Sequence, residues 1–296
     1  MKRRVKLLLI AVIIPGTIIL FVRYAMTHAD VVHKLRSLSP GMFAALLVFY
    51  GLWFLSISVA LAVSLKIYGK RISGQENVLL NAYSSLVNFF GPGQSGPAFR
   101  AVYLKKRHGF AIKHYVFTTL LYYGFYAVGS AFLLCVGSRP WWQTAALVIA
   151  VGLVSAYVIR RYGRRGGEHD ENKTAISPIL LGYLALAVGM QMIAQVGMYY
   201  VELRHVSPGV TFPQILTYTG AANFALFVSL TPGAIGIREA FLVFSQNLHH
   251  IGNSAIVAAN IIDRAMYLVV LGLMFIGVLA MHAQKRLHIT GGRPEV

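Results

Sequence analysis

Apolar stretches of 16 to 28 residues recur along this sequence, and only the last of them carries Asp, Glu, Lys or Arg. Such runs suit a helix, which needs about 20 apolar residues to cross the hydrocarbon layer, and are too long for the ~9–11-residue strands of a membrane barrel. Within hydrocarbon each backbone N–H and C=O has to be satisfied inside its own segment, which a helix does. Composition agrees: 12% of the 296 residues are charged, about half of the ~25% usual in soluble domains. The expected class is an all-α integral membrane protein.

Six spans are expected, over 7–22, 41–65, 114–136, 141–159, 177–201 and 254–281. The first follows Lys2-Arg3-Arg4-Val5-Lys6 and could be read as a signal peptide. It lacks a good small-x-small cleavage site, so a retained helix is the preferred reading. Two further apolar segments, 77–103 and 212–248, are interrupted by Gly91-Pro92-Gly93-Gln94-Ser95-Gly96-Pro97 and by Thr231-Pro232-Gly233-Ala234-Ile235-Gly236. Proline removes a donor and glycine weakens a helix, so each segment should be two short helices joined by a kinked loop. Arms of 14 and 13 residues, 77–90 and 236–248, reach only about 20 Å at 1.5 Å per residue. Re-entrant helical hairpins are therefore expected rather than full crossings.

Charge fixes the expected orientation. The net charge is +18, and the basic residues lie in short connectors, the pattern of loops facing anionic lipid rather than of a nucleic-acid-binding surface. With the N-terminus inside and both hairpins returning to the side they entered from, 20 of the 27 Lys and Arg lie on inside connectors and 5 on outside ones. The expected placement is a multi-pass protein of the cytoplasmic membrane with both termini cytoplasmic. One polytopic domain with two pseudo-repeats, about 1–137 and 138–296, follows. Each half runs span, span, hairpin, span, from opposite sides. The hairpin loops share Pro-Gly-x-x-Gly at Pro92 to Gly96 and Pro232 to Gly236, each followed by an arginine, Arg100 and Arg238. Inverted repeats with discontinuous helices are a recurrent transporter architecture.

A helix that starts inside the membrane leaves its first N–H groups unpaired and a partial positive charge at that end. Glycine there permits close approach to the backbone, and arginine lies behind each loop. An anion, most simply a lipid phosphate, is the matching ligand for Gly93, Gly96, Pro232, Gly233, Gly236, Arg100 and Arg238. The alternative is that these glycines form tight turns that only pack helices. Four intramembrane charges, Arg238, Glu239, Asp263 and Arg264, would each cost ~2.5–3.5 kcal/mol at mid-helix. Cross-pairs such as Arg238–Asp263 or Glu239–Arg264 would lower that cost. They form either a structural ion-pair cluster or a site that binds a headgroup or relays protons. Asn260, Asp263, Arg264 and Tyr267 share one helical face. Gln191 and Gln195, one turn apart, either face a cavity or join helices. Asn81, Asn88 and Asn223 have the same two readings.

Enzyme signatures are missing. The sequence has no His-Glu-x-x-His, no Gly-x-Ser-x-Gly and no Walker-type loop, and its single cysteine, Cys135, excludes an intrachain disulfide. No metal or other cofactor is expected.

Residues 88–104, with Asn88-Phe89-Phe90-Gly91-Pro92-Gly93-Gln94-Ser95-Gly96-Pro97-Ala98-Phe99-Arg100, resemble the lysylphosphatidylglycerol synthase transmembrane region, a flippase-like family. So do Thr231-Pro232-Gly233-Ala234-Ile235-Gly236-Ile237-Arg238-Glu239-Ala240 and Asp263-Arg264-Ala265-Met266-Tyr267-Leu268. The likeness covers most of the chain. It maps the family's pattern onto Pro232, Gly233, Gly236, Arg238, Glu239, Arg100 and Arg264. It implies translocation of a phospholipid or polyprenyl-phosphate carrier across a cytoplasmic membrane, with a second copy or a lipid-modifying enzyme as conceivable partners. The family commonly has an acidic residue between the first-hairpin glycine and arginine. This chain has Pro97-Ala98-Phe99 there, so proton coupling through that hairpin is not carried over, and Ala234 stands where a second glycine is usual. The soluble aminoacyl-transfer domain of larger relatives has no counterpart in these residues, so synthase activity is not implied. The competing expectations are a membrane enzyme acting on lipid-linked sugars or phosphates and a non-catalytic partner of a lipid-modifying enzyme.

Overall fold

The structure, a computed structural model, describes residues 37–90, 95–136, 177–228 and 237–290, with isolated positions 142, 146, 149–150 and 153, and gives backbone alone at 90, 226–228, 237, 239 and 280–290. Among these residues the chain is helical and contains no strand. The elements are α1 (Pro40–Lys66), α2 (Gly74–Phe90), α3 (Ser95–His108), α4 (Ile112–Val136), α5 (Pro178–Val206), α6 (Phe212–Val228), α7 (Ile237–Phe244), α8 (Gln246–His249) and α9 (Asn253–Thr290). The expected span 7–22 and most of 141–159 lie outside the described residues, as do both Pro-Gly-x-x-Gly loops apart from Ser95 and Gly96.

Among the described residues, four helices are long and apolar enough to cross a membrane: α1, α4, α5 and the Asn253–Leu279 part of α9. Their outward faces are apolar, with Leu55, Leu120, Leu186, Ile193 and Ile276 all more than half exposed. Polar residues of the same helices, such as Gln191, Gln195 and Asp263, are buried. Polar groups inside and leucine outside is the distribution that a hydrocarbon solvent selects.

Local chemistry sets the ends of the helices. Ser39 caps α1, its Oγ accepting from the Met42 N–H at 3.3 Å, with Pro40 in the first turn where no donor is needed. Gln214 covers the start of α6, its Oε1 accepting from the Thr211 N–H at 2.8 Å, one half of a capping box. Gly109, at φ +62°, closes α3, and the Phe110 N–H then reaches back to Leu104 O at 3.2 Å while both side chains enter one apolar cluster. That left-handed step favours glycine.

Both interrupted segments fold back on themselves. In the first, α2 and α3 pack side by side. Ser95 Oγ donates to Val87 O at 2.9 Å near the loop, Arg100 Nε to Ser84 Oγ at 2.7 Å in the middle, and the Tyr103 hydroxyl to Glu76 Oε1 at 2.6 Å at the open end. In the second, Ile215, Tyr218 and Ala222 of α6 share a core with Leu242 of α7 and Ile251 beyond α8. The arm expected as one helix over 236–248 is split at Ser245 into α7 and α8, and α8 ends at His250 with φ +54°. In sequence order, a long helix, a hairpin and a long helix thus occur twice.

Close packing of the long helices relies on glycine. A Cβ at Gly220 of α6 would lie 2.5 Å from Leu134 N and 2.6 Å from Ser130 O, so these backbones approach directly. The α1–α5 contact places Phe49 over Gly197 and joins Leu46, Tyr50 and Met198 to Ile262 and Met266 of α9. Small residues at helix crossings serve this purpose in membranes. Cys135 is buried and free, in a packing position.

Candidate functional site

A cavity of about 290 Å³ lies between the two hairpins and the long helices. Along α1 its lining runs from Tyr50 to Ser64, about 21 Å at 1.5 Å per residue. The first hairpin contributes Ser84, Ser85, Asn88, Phe89, Pro97 and Arg100, and the second half contributes Arg238, Asp263, Arg264 and Tyr267. Residues from the two halves of the chain, Arg100, Arg238, Asp263 and Arg264 among them, therefore line one cavity.

Arg238, near the start of α7, and Asp263, in the middle of α9, form the pair anticipated from their charges. Arg238 Nη1 donates to Asp263 Oδ2 at 2.5 Å, and Nη2 donates to the Tyr199 hydroxyl at 2.5 Å. The other aspartate oxygen, Oδ1, accepts from the Tyr50 hydroxyl at 2.5 Å. Arg238 and Asp263 are each only 9% exposed. Taking two charges out of water is costly unless their remaining lone pairs and protons are satisfied, and the two tyrosines do part of that. Arg238 Nε stays buried without a partner. The guanidinium, with five N–H donors, therefore keeps donor capacity beside the cavity.

Among the described residues the lining holds three arginines against one aspartate, a surplus of two positive charges. Arg100 is steered by Ser84 across the hairpin. Arg264 follows Asp263 on α9 and lines the same space. A low-dielectric pocket with excess guanidinium focuses field on an anion, and arginine is the side chain best matched to phosphate oxygens.

Aromatic and amide groups make the rest of the wall. Tyr267 stacks on Tyr50 with centroids 6.0 Å apart and packs edge-on against Trp53 at 5.9 Å. Gln191 Oε1 accepts from the Tyr122 hydroxyl at 2.6 Å, and the Gln195 amide donates to the Tyr126 hydroxyl at 2.8 Å. Both glutamines line the cavity and are also tied to α4, so the two alternatives for them hold together.

Several expectations are revised by the packing. Gly96 is buried against α2 and is not among the residues that line the cavity. Its N–H donates to Asn88 Oδ1 at 3.2 Å, and a Cβ there would sit 2.7 Å from Ser84 O and 2.9 Å from Asn88 Cβ. The glycine is needed because two backbones meet. Asn81 binds Ser58 Oγ at 3.3 Å and Asn77 Oδ1 at 2.8 Å, joining α2 to α1. Asn223 donates to Met192 Sδ at 3.4 Å, and Asn260 to the Tyr218 hydroxyl at 3.3 Å. Asn260 thus leaves the polar stripe to Asp263, Arg264 and Tyr267. Gly93, Pro232, Gly233 and Gly236 lie outside the described residues, as does the side chain of Glu239, and with it the Glu239–Arg264 pairing.

Sequence reasoning missed the tyrosines. Tyr50, Tyr115, Tyr122, Tyr123, Tyr126 and Tyr199 all line the cavity, and the 16 tyrosines of the chain were the available signal. It also missed Glu202, assigned to an outside connector because the apolar run ends at Val201. In the structure α5 continues to Val206 and Glu202 is 0% exposed.

Among the described residues, four long apolar helices around a buried, cation-rich polar cavity define a polytopic helical membrane protein. The family model of the lysylphosphatidylglycerol synthase transmembrane region matches residues 6–274, and the chain belongs to that family. None of the curated proteins compared with the chain matches it.

Proposed function

We propose that this protein is a lipid translocase of the flippase or scramblase kind. It moves an anionic lipid, a phospholipid or a polyprenyl phosphate, across the cytoplasmic membrane, with both of its termini on the cytoplasmic side. The observation that carries this is the convergence of Arg100, Arg238 and Arg264 on one cavity with, among the described residues, only Asp263 against them. Membership of a family named for a lipid-modifying synthase supports a lipid as the substrate.

The cavity is large enough for a phosphate headgroup and too small for a diacyl lipid, so the acyl chains stay in the bilayer while the headgroup crosses between the hairpins. Arg100, Arg238 and Arg264 take the phosphate, and Asp263 sets the charge balance. In this reading the hairpins are re-entrant and enter from opposite faces, as arms of an inverted repeat, with 7–22 and 141–159 as the fifth and sixth spans.

Reconstitution tests it. Purified protein in liposomes should accelerate the loss of outer-leaflet fluorescent phosphatidylglycerol or polyprenyl phosphate to a membrane-impermeant quencher. Arg238→Ala and Arg264→Ala should slow that loss about tenfold or more while remaining folded. Variants that fold and move lipid at the wild-type rate would remove these arginines from the site, and wild-type protein inert toward both lipids would refute the translocase.

A further inference from the structure

Glu202 stands apart from everything assigned above. Its side chain is 0% exposed, and neither Oε1 nor Oε2 has a hydrogen-bond partner. It lies one helical turn after Tyr199 on α5, on the face that carries Tyr199 to Arg238. Ionisable groups around it come from five helices: Tyr50 of α1, Tyr199 of α5, Tyr218 of α6, Arg238 of α7 and Asp263 of α9.

No cation in this set hydrogen-bonds Glu202. Arg238 is engaged by Asp263 and Tyr199. Arg204, two residues on, is exposed and donates to Pro208 O at 2.6 Å and Val210 O at 3.3 Å. His249 of α8 packs edge-on against Tyr218 at 5.4 Å, with Nε2 on Leu242 O at 3.0 Å and Nδ1 accepting from the Ile251 N–H at 3.2 Å, which fixes a neutral ring. One buried guanidinium thus faces two buried carboxyl groups. A carboxyl group buried with no hydrogen-bond donor, beside a guanidinium already paired with another carboxylate, takes up a proton.

We infer that Glu202 is a proton-binding site of the transport cycle, protonated while Asp263 holds Arg238 and passing its proton to Asp263 when an anionic headgroup takes Arg238. This rests on the translocase reading. In the step, the O–H bond of Glu202 breaks and an O–H bond forms on Asp263, whose charge has lost its cation to the phosphate. Glu202, now a carboxylate, regains a proton from the aqueous side at which α5 ends. One proton is taken up per headgroup bound, so a singly charged headgroup and its proton cross the interior with no net charge. Intramembrane carboxyls that relay protons are placed in this way, facing the bundle interior beside a charged partner.

Two measurements separate this inference from the translocase reading. In the purified full-length protein at neutral pH, infrared absorption should show a protonated-carboxyl C=O band that shifts in heavy water and is missing in Glu202→Gln. In liposomes, E202Q should move fluorescent phosphatidylglycerol about tenfold more slowly than wild type and lose the wild-type dependence of rate on pH, while E202D, which keeps a titratable carboxyl, retains both in part. Absence of the band, or E202Q matching wild type at every pH, overturns the proposal. Equal impairment of E202Q and E202D with equally lowered thermal stability assigns Glu202 to packing and overturns it too. Wild-type protein that moves no lipid refutes the translocase, and the proton site then stands or falls on the infrared band alone.

Discussion

The Tyr50 hydroxyl donates to Asp263 Oδ1 at 2.5 Å, across 213 positions of sequence, joining the first described span to the last. Asp263 thereby bridges Tyr50 on one oxygen and Arg238 on the other. Removing the hydroxyl should cost about 1.5–3 kcal/mol, the usual contribution of a hydrogen bond to a charged group. Tyr50→Phe keeps the ring stack on Tyr267 and should lower the thermal unfolding midpoint in detergent. In an Asp263→Asn background the same change should cost clearly less. Equal losses in both backgrounds would show that the two residues are not coupled.

The ion pair gives a second expectation. Breaking a buried pair by removing one partner typically costs about 3–5 kcal/mol, because the other charge is left buried alone. Arg238→Gln and Asp263→Asn should each lower thermal stability markedly. The double variant R238M/D263L, apolar at both positions, should recover most of that loss and still move no lipid. Strictly additive losses in a melting series would contradict the pairing.

Packing at Gly96 predicts a steric effect. Gly96→Ala places a Cβ 2.7 Å from a backbone oxygen of Ser84, and overpacking of this kind costs about 1–3 kcal/mol. Gly41→Ala, in the first turn of α1 with nothing within 4 Å of the new Cβ, should be neutral or slightly stabilising. Comparing the unfolding midpoints of the two alanine variants checks the contrast, and a stable G96A would show that the arms of the hairpin are further apart.

At the open end of the first hairpin, Glu76 accepts from the Tyr103 hydroxyl at 2.6 Å and lies 2.7 Å from His108 Nε2. Burial pushes the Glu76 carboxyl up, but the hydrogen bonds from Tyr103 and His108, with the positive charges of His108 and Arg107, more than offset it and hold it below the ordinary glutamate value. The lowered folded-state value means the unfolded chain binds its proton first as pH falls. The stabilisation is complete above the unfolded value and is lost as pH drops through the folded one. Thermal midpoints should therefore fall on acidification below the usual glutamate range. Glu76→Gln should remove that component and leave the profile at higher pH unchanged in shape. A wild-type and an E76Q profile of the same steepness in acid would disprove the clamp.

The sequence by itself determined the solvent and the secondary structure. Long uncharged runs admit only helices in hydrocarbon, proline and glycine mark where two segments turn back, and arms adjacent in sequence have no other partner so near. It also singled out Arg238, Glu239, Asp263 and Arg264, because a charge inside an apolar run stands out without any knowledge of contacts, and Arg100, because it follows a Pro-Gly-x-x-Gly loop. Tertiary structure decided which polar groups share a space. The tyrosines at 50, 122, 126 and 199 read locally as ordinary apolar-run residues, and only the packing of α1, α4 and α5 turns their hydroxyls to one cavity. Gly96 could equally have been a ligand contact or a backbone crossing until α2 lay against α3. Glu202 follows the end of an apolar run, where a charge looks like a connector, yet α5 extends past it and neighbouring helices enclose it. Hydropathy is a property of single segments, and burial belongs to the assembly of several. For that reason the residue left buried without a partner was invisible until the helices were placed together.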